Sequence, residues 1–126
     1  MDIGFQMLIQ EDLLKTIKNA LKLKPSILQT FLTTNPHSVA KNTAIRMNHT
    51  EGNVIKKLLE KNNIKLVIHS NYLLNFCSYP PTSKRIIWAL NYYIDELTTA
   101  YRIGAIGSII HIGAKKDLSN KEAYNN

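Results

Sequence analysis

The sequence predicts an α/β fold in which four parallel strands form one sheet covered by helices. Short apolar runs typical of strands alternate with amphipathic segments of helical length along most of the 126 residues. The last two runs contain His69 and His111, and a helix-length segment at 82–103 separates them. A crossover of this kind makes two strands parallel and, we expect, adjacent. The element order β-α-β-α-β-α-β follows.

The individual elements are predicted from local patterns. Strands are expected at 3–9, 26–32, 64–69 and 108–114, and helices at 11–23, 53–63 and 82–103. Pro25 ends the first helix because its ring lacks the N–H that the next turn requires, and Gly104 suits a C-terminal cap. Residues 33–50 are polar and predict a loop, with room for a helical turn at 39–47. The capping-box pattern from Ser119 to Glu122 predicts the first turn of a fourth helix.

Size and composition limit the classes of protein. The chain is long enough for one domain with a modest core, and 44% hydrophobic residues indicate a globular protein. No apolar run reaches the length of a membrane span, and the single cysteine, Cys77, favours a reducing, intracellular compartment. The net charge of +7 suits a polyanionic partner such as nucleic acid, although lysines at helical spacing also form ordinary solvated faces.

The two histidines form the strongest candidate site. His69 and His111 stand at the carboxyl ends of adjacent predicted strands, where α/β sheets and barrels bind ligands. Parallel neighbours lie about 4.8 Å apart, so two imidazoles there can share one zinc at about 2.0–2.1 Å per Zn–N bond. A single strand-end histidine more often hydrogen-bonds a loop carbonyl, whereas a pair on neighbouring strands favours a metal site.

The segments that contain these histidines resemble motifs of a known family. His-Ser-Asn-Tyr-Leu-Leu-Asn, beginning at His69, resembles the His-x-x-Tyr-Leu-x-Asn motif of the endonuclease IV family of apurinic/apyrimidinic (AP) endonucleases. His111-Ile112-Gly113 is similar to that family's next signature, and Ile3-Gly4 to the start of its first strand. The resemblance spans nearly the whole chain but only the first half of such an enzyme.

The resemblance implies a fold, an activity and a set of site residues. The fold would be the N-terminal half of a TIM (β/α)8 barrel, interrupted at the start of its fourth helix. The activity would be zinc-dependent hydrolysis of the phosphodiester 5′ to an abasic site in double-stranded DNA. His69 and His111 would be ligands of one Zn2+, and Tyr72, Leu73 and Asn75 would belong to a loop that binds DNA, with Asn75 orienting it.

The departures from the family pattern leave two other functions open. Gln6 stands where the family usually has a histidine, no other catalytic residue is assignable, and two histidines fall short of the three ligands of a catalytic zinc. His37 and His49 show no ligand spacing and stay unassigned. A sugar-isomerase-like metal-dependent barrel and a non-catalytic remnant or interaction fragment therefore remain alternatives. Half a barrel would also expose apolar surface, so we expect self-association or a need for a missing C-terminal half.

Overall fold

Four strands and four helices alternate along the part of the chain that the structure describes. The structure is a computed structural model and describes residues 3–38 and 44–126. The elements are β1 (Gly4–Met7), α1 (Leu13–Leu21), β2 (Ile27–Thr30), α2 (His49–Lys61), β3 (Lys65–His69), α3 (Lys84–Arg102), β4 (Gly107–Ile109) and α4 (Asn120–Asn125). The predicted order of elements is confirmed. Part of the helical turn considered at 39–47 lies outside the described residues, and 44–47 are not helical.

The four strands form one parallel sheet in the order β1-β2-β3-β4. The register aligns Phe5 with Leu28, Leu28 with Leu66, and His69 with Ile109. Every neighbouring pair is therefore joined by a helical crossover, as the sequence predicted for the last two strands. The α/β class is confirmed, and the arrangement is consistent with half of a TIM-barrel-like domain.

Helix starts are set by side-chain caps. Asp12 caps α1, and Ser83 caps α3 by accepting from the Ile86 N–H. Ser119 and Glu122 form the predicted capping box of α4. The predicted start of the second helix at residue 53 is wrong, because Asn48 and Glu51 form a capping box that begins α2 at His49.

The hydrophobic core lies between the sheet and the helices α1 and α2. Leu28, Leu66 and Ile68 project from the sheet into this core and are fully buried, as is Ile17 of α1. The run that forms the fourth strand is apolar in sequence, as a buried parallel strand is, but the strand itself is largely exposed. Ile109 is 41% exposed because β4 is the edge of the sheet and α3 touches it only lightly.

The fourth strand is also shorter than predicted. It ends at Ile109, and residues beyond it run on as an extended loop whose Ile112 carbonyl accepts from the Phe76 N–H at 2.9 Å. That loop and the loop after β3 are thus held side by side above the carboxyl edge of the sheet. Among the described helices, none combines the length and the apolarity that a membrane crossing requires.

Candidate metal and DNA-binding site

The two histidines singled out in the sequence lie against each other at the carboxyl edge of the sheet. The ring centroids of His69 and His111 are 5.0 Å apart, with an angle of 66° between the ring planes. His111 lies two residues beyond Ile109, the register partner of His69, so the loop after β4 brings its ring back to His69. Two imidazoles on one tetrahedral zinc, each at about 2.0–2.1 Å, also have centroids roughly 5 Å apart.

The two imidazoles differ in their surroundings. His69 is buried with 6% exposure, and its Nδ1 lies 2.8 Å from the Ser70 carbonyl oxygen. Because a carbonyl only accepts, Nδ1 carries the proton, and the lone pair is on Nε2. A backbone acceptor of this kind commonly fixes the tautomer of a metal-binding histidine. His111 is exposed, on a loop at the open edge of the sheet.

Tyr72 completes an aromatic cluster around the histidines. Its ring centroid lies 4.9 Å from that of His69 and 5.4 Å from that of His111. His37, which the sequence left unassigned, stacks on Tyr72 with centroids 4.6 Å apart, and the Tyr72 N–H donates to the Pro36 carbonyl. The loop after β2 therefore reaches the site, a contact across 35 residues that local sequence patterns do not reveal.

The loop that carries Tyr72 and Leu73 is fixed from below by Asn71. The Asn71 side chain is buried, and its Oδ1 accepts from the Leu73 N–H at 2.8 Å, as in an Asx turn. Its Nδ2 lies 3.4 Å from the hydroxyl of Tyr92 on α3. Leu73 itself is 43% exposed. Leu73 is thus an exposed apolar side chain on a hydrogen-bonded turn, next to the half-buried ring of Tyr72.

Asn75 ties the β3 loop to the β4 loop. Its Oδ1 accepts from the N–H groups of Cys77 and Ser78, while its Nδ2 donates to the Ala114 carbonyl at 3.1 Å. The backbone of Gly113 approaches so closely that a Cβ there would lie 2.3 Å from Asn75 Oδ1, and its φ is +113°. Only glycine fits this position without strain. Asn75 thus has a structural role, and its part in DNA binding stays a prediction.

Glu96 is a functional candidate that the sequence analysis missed. This α3 residue is fully buried beneath the β3 loop, where its Oε2 accepts from Ser70 Oγ at 2.7 Å and its Oε1 has no partner among the described residues. Burial raises its pKa to about 7, against the hydrogen bonds from Ser70 and the Asn71 backbone. The sequence could have revealed Glu96 as an acidic residue on the inner face of α3. The other buried residues on that face include Ala89, Tyr92, Thr99 and Ile103.

The donor set is incomplete as a metal centre. The geometry of His69 and His111 fits two ligands of one zinc, but the described residues contain no group of three histidine, cysteine or carboxylate side chains around one point. Gln6, at the position of the missing histidine, instead accepts a hydrogen bond from Gln29 Nε2 at 2.8 Å. A catalytic zinc needs three protein ligands and an open position. The pair therefore fits part of a zinc site and does not constitute one.

An open groove of about 830 Å3 runs along the site. The rings of Tyr72 and His111 lie on its wall together with Leu73 and Asn75, so four of the five residues selected from the sequence border one space. His69 lies behind them, against Phe31 with ring centroids 4.9 Å apart. The groove is accessible from solvent and can admit an extended ligand.

Comparisons with known proteins agree with this architecture. The chain matches no protein-family model and no curated protein. Among solved structures it is similar to the crystal structure of AsfvAP:AG, a structure of the ASFV AP endonuclease, with a TM-score of 0.63 and 16% sequence identity. The match covers 98% of this chain and 42% of that chain, so this chain spans less than half the length of the solved structure. The chain has an AP endonuclease-like α/β fold.

Proposed function

We propose that this chain is the strand-1 to strand-4 portion of a DNA-repair nuclease of the endonuclease IV type, which hydrolyses the phosphodiester 5′ to an abasic site. The observation that carries the proposal is the cluster of His69, His111 and Tyr72 at the carboxyl edge of an AP endonuclease-like sheet. Fold alone hosts many activities. The cluster adds a pair of metal-binding side chains beside an aromatic ring in an open groove.

His69 and His111 would hold one zinc ion through one ring nitrogen each. The Ser70 carbonyl fixes the tautomer of His69 and leaves Nε2 for the metal. When bound, the zinc ions of such a centre polarise the phosphate and supply hydroxide. The further ligands that hydrolysis needs are not among the described residues, so this chain would cleave DNA only together with a partner segment that contributes them.

Tyr72 and Leu73 would contact the abasic nucleotide. Unstacking a duplex step costs a few kcal/mol, and less at a site that has already lost its base. The exposed Leu73 can fill the space of the missing base, while Tyr72 stays packed between His37 and the histidine pair. Asn75 would act through the loop, because its polar atoms are engaged by neighbouring backbone and by Ser78.

A non-catalytic role is the second candidate, and one observation favours it. The described residues hold no three-ligand set, so the chain could retain the DNA-binding face of such a nuclease without its chemistry. No observation in the structure favours the sugar-isomerase alternative over these two.

The test measures zinc and DNA separately on the 126-residue chain. Zinc binding is followed by calorimetry for the wild type and for His69→Ala and His111→Ala, with His49→Ala as the matched control because His49 lies apart on α2. Because two imidazoles form only part of a zinc site, we expect weak zinc binding in the wild type and the control, and none in the two site variants. Equal zinc binding in all four proteins would overturn the ligand assignment.

The DNA arm uses a labelled duplex with one tetrahydrofuran abasic analogue and the same duplex intact. We expect the wild type to prefer the abasic duplex, and Tyr72→Ala to lose that preference while zinc binding stays unchanged. A wild type that binds both duplexes equally would overturn the assignment to abasic sites. Cleavage 5′ to the lesion by the chain alone, with zinc added, would overturn the non-catalytic candidate.

A further inference from the structure

Two cations converge on one tyrosine beside the groove. Tyr79 belongs to the loop between β3 and α3, Arg85 to the first turn of α3, and Lys116 to the loop after β4. Lys116 Nζ donates to the Tyr79 hydroxyl at 3.0 Å, and Arg85 donates to the same oxygen. The Arg85 Cζ also lies 4.8 Å from the Tyr79 ring centroid. The Tyr79 hydroxyl oxygen thus accepts from two cationic side chains, one on α3 and one on the loop after β4.

Among the described residues, no carboxylate forms an ion pair with Arg85 or Lys116. The two ion pairs there join Lys15 to Glu11 and Arg46 to Asp95. The hydrogen bond from Lys116 and the positive charge of both cations lower the pKa of the Tyr79 phenol, which fits a strongly positive environment. Like charges held together without a counterion cost free energy, so an anion that bound there would relieve a repulsion already present.

The N-terminus of α3 adds to the positive charge. Its first turn contains Lys84 and Arg85 and no acidic residue, although a helix N-terminus favours negative charge by about 0.3–1 kcal/mol per group. By contrast, α2 and α4 each have a glutamate in the first turn, Glu51 and Glu122. Helix α1 has an acidic cap, Asp12, so among the four described helices only α3 has no acidic residue at its cap or in its first turn. Arg85 of that turn lines the groove.

The cationic cluster and the histidine site share one groove. The groove that His111 and Tyr72 border is lined also by Tyr79, Arg85 and Lys116, and by Trp88 and Ala89 of α3. An extended anion in this groove can therefore contact both His111 and the two cations. Trp88 is 40% exposed there and offers an apolar surface next to the charges.

We propose that Arg85 and Lys116, joined by Tyr79, bind a backbone phosphate of the DNA strand that lies along this groove. Arginine offers a planar fork of donors that matches two phosphate oxygens, and lysine adds a mobile point charge. The group that would be recognised is a phosphate oxyanion. Because the groove is much larger than one phosphate ion, it favours a phosphate within a DNA strand over free phosphate. The choice of DNA rests on the proposed function. A backbone contact would position the strand without reading its sequence.

The experiment measures the salt dependence of duplex binding. Dissociation constants are determined between 50 and 200 mM salt, on abasic and intact duplexes, for the wild type and for Arg85→Gln/Lys116→Gln. Lys57→Gln/Lys61→Gln removes the same charge from the exposed face of α2 and is the matched control. Arg85→Lys/Lys116→Arg keeps both charges and tests rescue. All substituted side chains are exposed, and circular dichroism checks the fold.

We expect Arg85→Gln/Lys116→Gln to bind both duplexes roughly tenfold more weakly at low salt and to flatten the slope of log K against log salt by about 0.9, the value of one phosphate contact. The control and the charge-keeping variant should retain the wild-type slope. Equal slopes in wild type and Arg85→Gln/Lys116→Gln, or the same flattening in the control, would overturn the phosphate site.

The outcomes separate this proposal from the proposed function. A slope change without preference for the abasic duplex supports the phosphate site and overturns the lesion specificity. A preference for the abasic duplex without a slope change supports the lesion specificity and overturns the phosphate site. Inorganic phosphate is titrated alone, with the amide shifts of Arg85 and Lys116 as the signal. Saturation below millimolar phosphate, combined with unchanged duplex slopes, would assign the cluster to free phosphate and overturn the strand contact.

Discussion

The core side of the sheet and the outer side of α3 contain the same types of apolar residue, but these are buried in the sheet and exposed on the helix. Leu66 and Ile68 of β3 are fully buried against α1 and α2. Five apolar residues of α3 at alternating spacings of three and four instead form a solvent-facing row, the α3 stripe, and they are between 41% and 79% exposed: Ile87, Leu90, Ile94, Leu97 and Tyr101. Such spacing is typical of a helix face that packs on a neighbour. The same pattern thus forms a core on one side and bare surface on the other.

The difference teaches where this architecture needs a further layer. In a barrel, each strand is flanked on both sides and each crossover helix packs on the next. The edge strand β4 and the α3 stripe face the side on which a further strand and helix would pack in a complete barrel, and this chain covers 42% of the AsfvAP:AG structure. Exposed apolar rows of this kind often mark surfaces that associate with another protein segment or a second copy.

The largest expected effect is on stability, and it distinguishes the buried core from the exposed α3 stripe, because only a truncation in the core leaves a cavity. Ile68→Ala should reduce the free energy of unfolding by about 2–5 kcal/mol, because it leaves a void in a packed core. Ile94→Ala, on the α3 stripe, should change it by less than about 0.5 kcal/mol, because the side chain already meets water. Urea unfolding followed by circular dichroism measures both.

This comparison would break if Ile94→Ala also cost more than about 2 kcal/mol. The stripe would then be buried in solution by another molecule of the same chain. Repeating the measurement over a hundredfold range of protein concentration separates the cases, since only an associating protein gains stability with concentration.

A second prediction concerns Glu96, which joins the two regions through Ser70. Its pKa of about 7 in the folded protein lies above the ordinary value of 4.5, so the folded state binds the proton more tightly than the unfolded state. Its stabilising contribution is full below pH 4.5 and is lost as the pH rises to about 7. The pKa difference corresponds to about 3 kcal/mol.

Glu96→Gln tests this directly, because the amide stays neutral and retains an acceptor for Ser70. We expect the variant to be more stable than the wild type at pH 8, by up to about 3 kcal/mol, and similar to it at pH 4.5. Urea unfolding from pH 4.5 to 8 gives the two profiles, with Glu60→Gln on the exposed face of α2 as the control. Parallel profiles for wild type and Glu96→Gln would show that Glu96 ionises in place without penalty.

The strands and helices were predictable because their signals are local. The alternation of Leu66 and Ile68 with partly exposed neighbours, and the cap at Ser83, depend on few residues in sequence. The missed start of α2 had a local signal, the capping box of Asn48 and Glu51, and the limit of local patterns shows instead at Gly52. Gly52 resembles a helix breaker, yet its missing side chain makes room for Arg102, since a Cβ there would lie 2.8 Å from it. A contact across 50 residues is invisible in a local pattern.

The candidate site was predictable only in part, for the same reason. His69 and His111 were selected because the crossover topology places neighbouring strand ends together. The contacts of His37 with Tyr72 and of Glu96 with Ser70 depend on how a loop and a helix pack on that edge. The exposure of β4 could not be read from its sequence either, because the apolar run around Ile109 and Ile110 is typical of a buried strand. Apolar residues make a strand suitable for packing on both sides. Because β4 is the edge strand, Ile109 has no further element to pack against and stays exposed.

The smallest expected effect distinguishes the two histidines themselves. His69→Ala should cost about 1–3 kcal/mol, because it removes a buried ring from Phe31 and Tyr72 and leaves the Ser70 carbonyl without its donor. His111→Ala should change stability by less than about 0.5 kcal/mol, because the side chain is exposed. Thermal unfolding in the presence of a chelator measures both without any contribution from metal. With zinc added, both variants should fall further below the wild type by the same amount, because only the wild type gains stability by binding zinc in its folded state. An equal zinc-dependent gain in the His111→Ala variant would mean that its ring only covers His69, and the groove would then have a single imidazole to offer a metal.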